Sequence, residues 1–372
     1  MKRITFLVGP NGCGKTAQLV NMAEQHYTQR GRSLVIANTP FNRFTKKNKS
    51  QYIFNVSPRG IKKIVTQNLQ ALYGSEEQET FEIADLLTTI GFAPSIKLQI
   101  QIARTPTRAD MDELHDIIAD KNELVIVYST LNNIFKNNNI IDLSNHSNTY
   151  IESFRFQIRI LFKHINTLQK MKFISSYSLV FHHKNRDSSQ KFEELSSGEQ
   201  TLISSYLFIK SKITHIKTLF IDEPENSLHP QWQRQYLNML HMALGYHDVQ
   251  IILASHSPIL VSGALSSYGN DIDVIRVNHY QQKIIELNKT RSPESVEEIL
   301  WEAFDTITPV SHFLSLELSR TLQELTDNRI SQTQAELKIK DFKKKSYDDT
   351  QKKLLSNVLD NLSKFVKHGT IN

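Results

Sequence analysis

A single cysteine, Cys13, occurs in 372 residues. It cannot close an intramolecular bridge, so a disulfide-stapled secreted module is excluded and a reducing, cytoplasmic setting is the expectation. Glycine and proline are sparse, 12 and 10 residues, which excludes collagenous chains and Gly/Pro-rich disorder. No apolar stretch reaches the roughly 20 residues needed to cross a bilayer. The longest, 249–265, is broken by His256 and Pro258, so no membrane association is expected. The run Ile4 to Val8, behind Lys2 and Arg3, is too short for the apolar core of an export signal. Internal repeats and zinc-spaced His/Cys clusters are also missing.

The composition, 39% hydrophobic and 22% charged in 42.9 kDa, suits one large domain or two ordinary ones. Net charge is +6, unevenly spread: residues 1–50 hold nine Lys or Arg against Glu24 alone. That asymmetry suggests a polyanionic partner, whether nucleotide, nucleic acid or acidic protein.

Short apolar runs at Ile4 to Val8, Ser33 to Ala37, Thr218 to Asp222, Gln250 to Ala254 and Asp273 to Val277 alternate with helical patterns. This predicts an α/β fold on a mostly parallel sheet covered on both faces. Lys283 to Leu287 reads as a strand in hairpin with the last of these. Residues 1–55 and 173–290 form the expected core. Residues 56–172 read as a mainly helical insertion, or arm, with helices at Ile61 to Tyr73, Phe81 to Ile90, Ala109 to Ala119 and Tyr150 to Met171. In the last of these, Arg155, Arg159, Lys163 and Lys170 make a basic face that is either solvated or polyanion-binding. Residues 291–372 read as a helical C-terminal region, opened by Ser292-Pro293 as N-cap and first helical position.

Gly9-Pro10-Asn11-Gly12-Cys13-Gly14-Lys15-Thr16 matches G-x-x-x-x-G-K-S/T between a strand and a helix. In that setting backbone N–H groups and the helix dipole cradle a β-phosphate, Lys15 bridges the β- and γ-phosphates, and the Thr16 hydroxyl ligates Mg²⁺. The strand 218–222 ends in Asp222 and Glu223, which alternation sends to opposite sides. Asp222 is expected to hold Mg²⁺ through water and Glu223 to orient and deprotonate the attacking water. His256, at the end of another apolar strand, is placed as a γ-phosphate contact or as a histidine satisfied by nearby backbone. Ser196, Ser197, Gly198 and Glu199 open a helix, as capping residues or as a second anion-binding end.

Leu195-Ser196-Ser197-Gly198-Glu199-Gln200 resembles the signature of ABC-type ATPases, with Ser197 in place of a glycine. With the phosphate loop, the segment 222–230 (D-E-P-E-N-S-L-H-P) and 254–258 (A-S-H-S-P), the set is similar to the ATPase heads of the SMC, RecF and OLD branch. The resemblance implies ATP and Mg²⁺ as cofactors, and a homodimer or higher homo-oligomer. In it each ATP lies between the phosphate loop of one copy and Ser196 to Glu199 of the other, with Asn226 to His229 crossing the interface.

Two features depart from that pattern: residues 38–44 lack the glutamine usual after the second strand, and the insertion lacks the heptads of a long coiled coil. The C-terminal region carries no clustered acids of a nuclease. The architecture is similar to stand-alone ATPases of bacterial anti-phage systems, Septu and the retron-associated, PtuA-like modules. That implies a separate effector, a nuclease or toxin. Arg43, Lys46, Lys47, Lys49, Arg59, Lys62 and Lys63, interleaved with Phe44, Tyr52 and Phe54, suggest nucleic acid as a further partner. RecF-like DNA repair and a transporter's ATP-binding subunit are the alternative functions.

Overall fold

The computed structural model describes residues 4–29, 32–38, 44, 51–55, 65, 67–69, 83–104, 107–136, 139–143, 151–278, 281–285, 296–307, 312–346 and 348–368. Strands β1 (Ile4–Val8), β2 (Ser33–Ala37), β3 (Gln51–Asn55), β8 (Thr218–Asp222), β9 (Gln250–Ser255), β10 (Ile272–Asn278) and β11 (Gln281–Ile285) make one sheet. Its order is β11-β10-β1-β9-β8-β2-β3, parallel throughout except for the β10–β11 hairpin. The α/β fold on a largely parallel sheet expected from the sequence is therefore what the chain adopts.

Alternation sorts these strands onto two apolar faces. Ile4, Phe6, Val8, Leu219, Ile221, Ile251 and Leu253 join the larger core, whereas Leu7, Phe220, Ile252 and Ala254 pack with Leu19 and Ala23 of helix α1 (Lys15–Gln29). The same parity carries Asp222 to the α1 face. Register keeps the carboxyl ends level: Val8 pairs with Ser255, Asp222 with both Ala254 and Ala37. The loops that leave these strands thus meet at one edge, where open α/β sheets bind ligands.

The insertion differs from its expected character. Helices α3 (Arg108–Ile117), α4 (Lys121–Lys136) and α5 (Ile151–Lys170) are present, but so is β4 (Phe92–Ile102), an eleven-residue strand. It joins β5 (Ile140–Asp142), β6 (Ile174–His183) and β7 (Ser189–Lys191) in a four-stranded antiparallel sheet, order β5-β4-β6-β7. Ile96, Leu98 and Ile100 alternate inward with Leu179 and Phe181 opposite, and this burial of one face decides for strand over helix. Of the expected helix 81–90, Ala84–Thr89 (α2) forms; that at 61–73 lies mostly outside the described residues.

Helices α6 (Ser197–Lys210), α7 (Pro230–Leu244) and α8 (Pro258–Tyr268) come after β7, β8 and β9. The C-terminal region contributes α9 (Val296–Glu302), α10 (His312–Thr326), α11 (Gln332–Lys345) and α12 (Asp349–His368); Ser292 and Pro293 lie outside the described residues. It has its own apolar cluster around Ile339, Phe342, Leu355 and Leu362. Asp305 ties it to the sheet, accepting from Arg276 of β10 at 2.7 Å and pairing with Lys345 at 2.9 Å. Among the described residues no helix is long and apolar enough to cross a membrane.

Candidate nucleotide site

The loop 9–16 leaves β1 and enters α1 as the motif requires. Gly9 has φ 149°, and a side chain there would begin 2.7 Å from the Val277 carbonyl oxygen and 2.8 Å from the Cys13 sulfur, so only glycine fits. Pro10, Asn11, Gly12 and Gly14 are exposed, while Cys13 packs inward. Lys15 is buried, its ammonium donating to the carbonyls of Gly9 (2.8 Å) and Pro10 (3.0 Å), which holds a mobile cation over its own loop.

Next to it the Thr16 hydroxyl donates to Asp222 Oδ1 at 3.0 Å. Asp222 is fully buried, and its Oδ2 has no partner among the described residues. Burial pushes its carboxyl up to about 6; the Thr16 bond and Lys15 oppose that, while Glu223 and Glu225 add to it. A hydroxyl and a carboxylate with a free buried oxygen suit a hard cation such as Mg²⁺, which takes few protein oxygens and completes its shell with water and phosphate. Among the described residues no group of three or more His, Cys, Asp or Glu is placed to hold a metal ion.

Glu223 sits one residue past the strand in a left-handed conformation, φ 49°, strain of the kind that gathers at functional sites. Its N–H donates to Ala254 O, and its Oε2 accepts from Asn226 Nδ2 at 2.9 Å. Asn226 also donates to Asn38 O, joining the acidic turn to the end of β2. His256 lies beside it, with Nδ1 3.7 Å from Glu223 Oε1. The phosphate loop, Asp222, Glu223 and His256 thus share the sheet's carboxyl edge.

The serine-rich helix tip is built differently. Ser196 is the N-cap of α6: its hydroxyl accepts from Glu199 N, while the Glu199 carboxylate accepts from Ser196 N and Oγ, each at 2.8 Å. This capping box places a carboxylate of the chain itself at the helix tip. An incoming anion has to displace it. Ser196 and Ser197 are exposed, but Gly198 is buried, and a side chain there would meet the Ser227 carbonyl oxygen at 2.5 Å. Gly198 therefore has a packing duty within one copy, fixing α6 against the acidic turn. Ser196→Ala removes the cap and is expected to cost about 1 kcal/mol in urea unfolding.

The sequence reading of a stacking surface does not hold for its aromatic members. Phe44 and Phe54 are buried, Phe54 stacking on Phe208 at 5.0 Å, and Tyr52 packs against the same core. Apolar packing has claimed the Phe44 and Phe54 rings, whereas Tyr52 is half-buried. Their basic neighbours, Arg43, Lys46, Lys47, Lys49, Arg59, Lys62 and Lys63, lie outside the described residues.

Residues 34–262 match the model of a family described as "AAA domain, putative AbiEii toxin, Type IV TA system". The match begins after the phosphate loop and takes in the serine-rich tip, the acidic strand and His256. No curated protein matches. Similar solved structures include the Smc head domain with an extended coiled coil bound to the C-terminal domain of ScpA from Pyrococcus furiosus, at 11% identity and TM-score 0.25. That alignment covers 62% of this chain, which spans 57% of the other's length. Another is the SmcHead bound to the C-winged helix domain of ScpA, at 12% identity and TM-score 0.29, covering 78% of this chain and 92% of that one.

Proposed function

The chain belongs to this AAA-domain family, whose model spans well over half of it, and on that premise we propose that it is an ATP-hydrolysing head that dimerises around its substrate. The observation that carries the reading is the convergence of the Lys15 loop, Thr16–Asp222, Glu223 and His256 on one sheet edge. Lys15 exchanges the Gly9 and Pro10 carbonyls for the β- and γ-phosphates, and the loop's N–H groups hold the chain of phosphates in place. Thr16 and Asp222 are the residues that hold Mg²⁺, whose charge offsets that of the phosphates. Glu223 accepts the proton of the attacking water, and His256 steadies the γ-phosphate.

In the dimer, Ser196 to Glu199 of a second copy close over the nucleotide, with Glu199 released from its cap. The exposure of Ser196 and Ser197 supports this part of the reading. The family's toxin–antitoxin description favours a role in bacterial defence, the chain gating a separate nuclease or toxin. That fits the likeness of its motifs to the SMC, RecF and OLD branch and of its architecture to PtuA-like modules.

Equilibrium binding of ATP with Mg²⁺ to the wild type and to Lys15→Ala tests the site. The alanine variant is expected to lose at least tenfold in affinity, since a buried charge-assisted contact to phosphate is worth about 1.5–3 kcal/mol. Equal affinity would remove the phosphate loop from the site.

A further inference from the structure

Glu225 is a carboxylate with no role in the chemistry above. Its side chain is 3% exposed, against 38% for His256 and 23% for Glu223. A buried charge is costly, and an apolar residue would serve packing better. What surrounds it is the strand end that carries His256. Glu225 Oε1 accepts from His256 N at 2.6 Å and from Ser255 Oγ at 2.9 Å. His256 Nδ1 stands 3.1 Å from the same oxygen, close enough for an ion pair although not aligned as a hydrogen bond.

The network continues on both sides. Ser255 Oγ accepts from Ser257 N, Ser257 Oγ donates to Gln233 Oε1 at 2.6 Å, and Gln233 Nε2 donates to Leu228 O. The acidic turn and the histidine turn, about thirty residues apart, are thereby locked together. Other ionisable groups near the pair are Glu223, in contact with the ring, and buried Asp222 and Tyr236, both raised mainly by burial and in smaller part by the Glu225 charge. Burial raises the Glu225 carboxyl, and its bonds to His256 and Ser255 pull it back.

We propose that Glu225 is the positioning residue of His256: it fixes the backbone and ring of the histidine from behind, so that the exposed side of the imidazole meets the γ-phosphate of ATP in a set orientation. This deepens the proposed function and rests on it. The buried acid orients while the exposed ring makes the contact.

The test is a double-mutant cycle in the full chain, with kcat and KM for MgATP and thermal melts for wild type, Glu225→Gln, His256→Ala and the double variant. Glutamine keeps an acceptor for His256 N and Ser255 Oγ but removes the charge. The expected result is a fall in kcat of about tenfold with KM unchanged, and no further loss when added to His256→Ala. A wild-type kcat in Glu225→Gln, or a full additional loss in the His256→Ala background, overturns the inference and leaves the ATPase reading standing. Absence of ATP binding and hydrolysis in the wild type overturns both. Should Glu225→Gln lose its cooperative melt, Ser255→Ala replaces it, with kcat expected to fall about threefold at constant KM. An unchanged kcat there also overturns the inference.

Discussion

Replacing Glu223 by glutamine is expected to lower ATP turnover by about 100- to 10 000-fold while leaving ATP affinity within a few-fold of wild type, the range ascribed to loss of a general base. The substitution preserves shape. The glutamine carbonyl still accepts from Asn226 Nδ2, now at 2.9 Å from Glu223 Oε2, so the turn from Glu223 to Leu228 is retained. What it removes is the ability to take a proton from water. Because the substrate then persists, Glu223→Gln with MgATP should also accumulate as a dimer in sedimentation, where wild type cycles back to monomer. Equal steady-state phosphate release by the two proteins would show that another group is the base. Loss of ATP binding in the variant would move Glu223 from chemistry to binding.

Asp222→Asn should move stability and activity in opposite directions. The folded-state carboxyl is raised to about 6 from an ordinary 3.8, mainly by burial. Below about pH 3 the group is protonated in folded and unfolded chains alike and its burial costs nothing in ionisation; above 3.8 the unfolded chain ionises first and the cost begins to grow. As pH rises through about 6 the folded chain must carry the charge, a destabilisation that levels off near ~3 kcal/mol above that pH. An uncharged asparagine escapes it, at the expense of a buried amide nitrogen where Asp222 Oδ2 has no partner. The metal-free, nucleotide-free variant should therefore exceed wild type by about 1–3 kcal/mol in urea unfolding at about pH 7.5, with the difference gone by about pH 3. Hydrolysis of MgATP should be lost. Equal unfolding curves at the higher pH would mean that the carboxylate is not under strain. Stabilisation without loss of turnover would separate Asp222 from the metal.

Much of the site is legible in the sequence because it is written in contiguous motifs on buried strands. Gly9 to Thr16, Asp222 and Glu223, and His256 each come directly after or at the end of an apolar run, and parallel register then brings their carboxyl ends level without further information. Glu225 is visible as a letter in the motif but not as the holder of His256. That pairing depends on β8 and β9 being neighbours with Asp222 opposite Ala254, which local pattern does not reveal. Asn226 is similar, since its bond to Asn38 joins segments far apart in sequence.

At the serine-rich tip the spacing of Ser196 and Glu199 is that of a capping box, and it is this local duty that the chain fulfils. The second sheet had a signal as well. Ile96, Leu98, Ile100 and Ile102 alternate with Lys97, Gln99 and Gln101, but Pro94 and the helical patterns on either side mask the period of two. Phe44 and Phe54 show the reverse error: aromatics among lysines look like a stacking surface until the fold turns these two rings inward.

The place where a triphosphate lies decides the function of this chain, and a crystal structure grown with Mg²⁺ and a non-hydrolysable ATP analogue measures it. The phosphates should lie against Lys15, with the ammonium drawn off the Gly9 and Pro10 carbonyls, and the cation between Thr16 and Asp222. An analogue bound elsewhere, with Lys15 still 2.8 Å from the Gly9 oxygen, would contradict the phosphate-loop site.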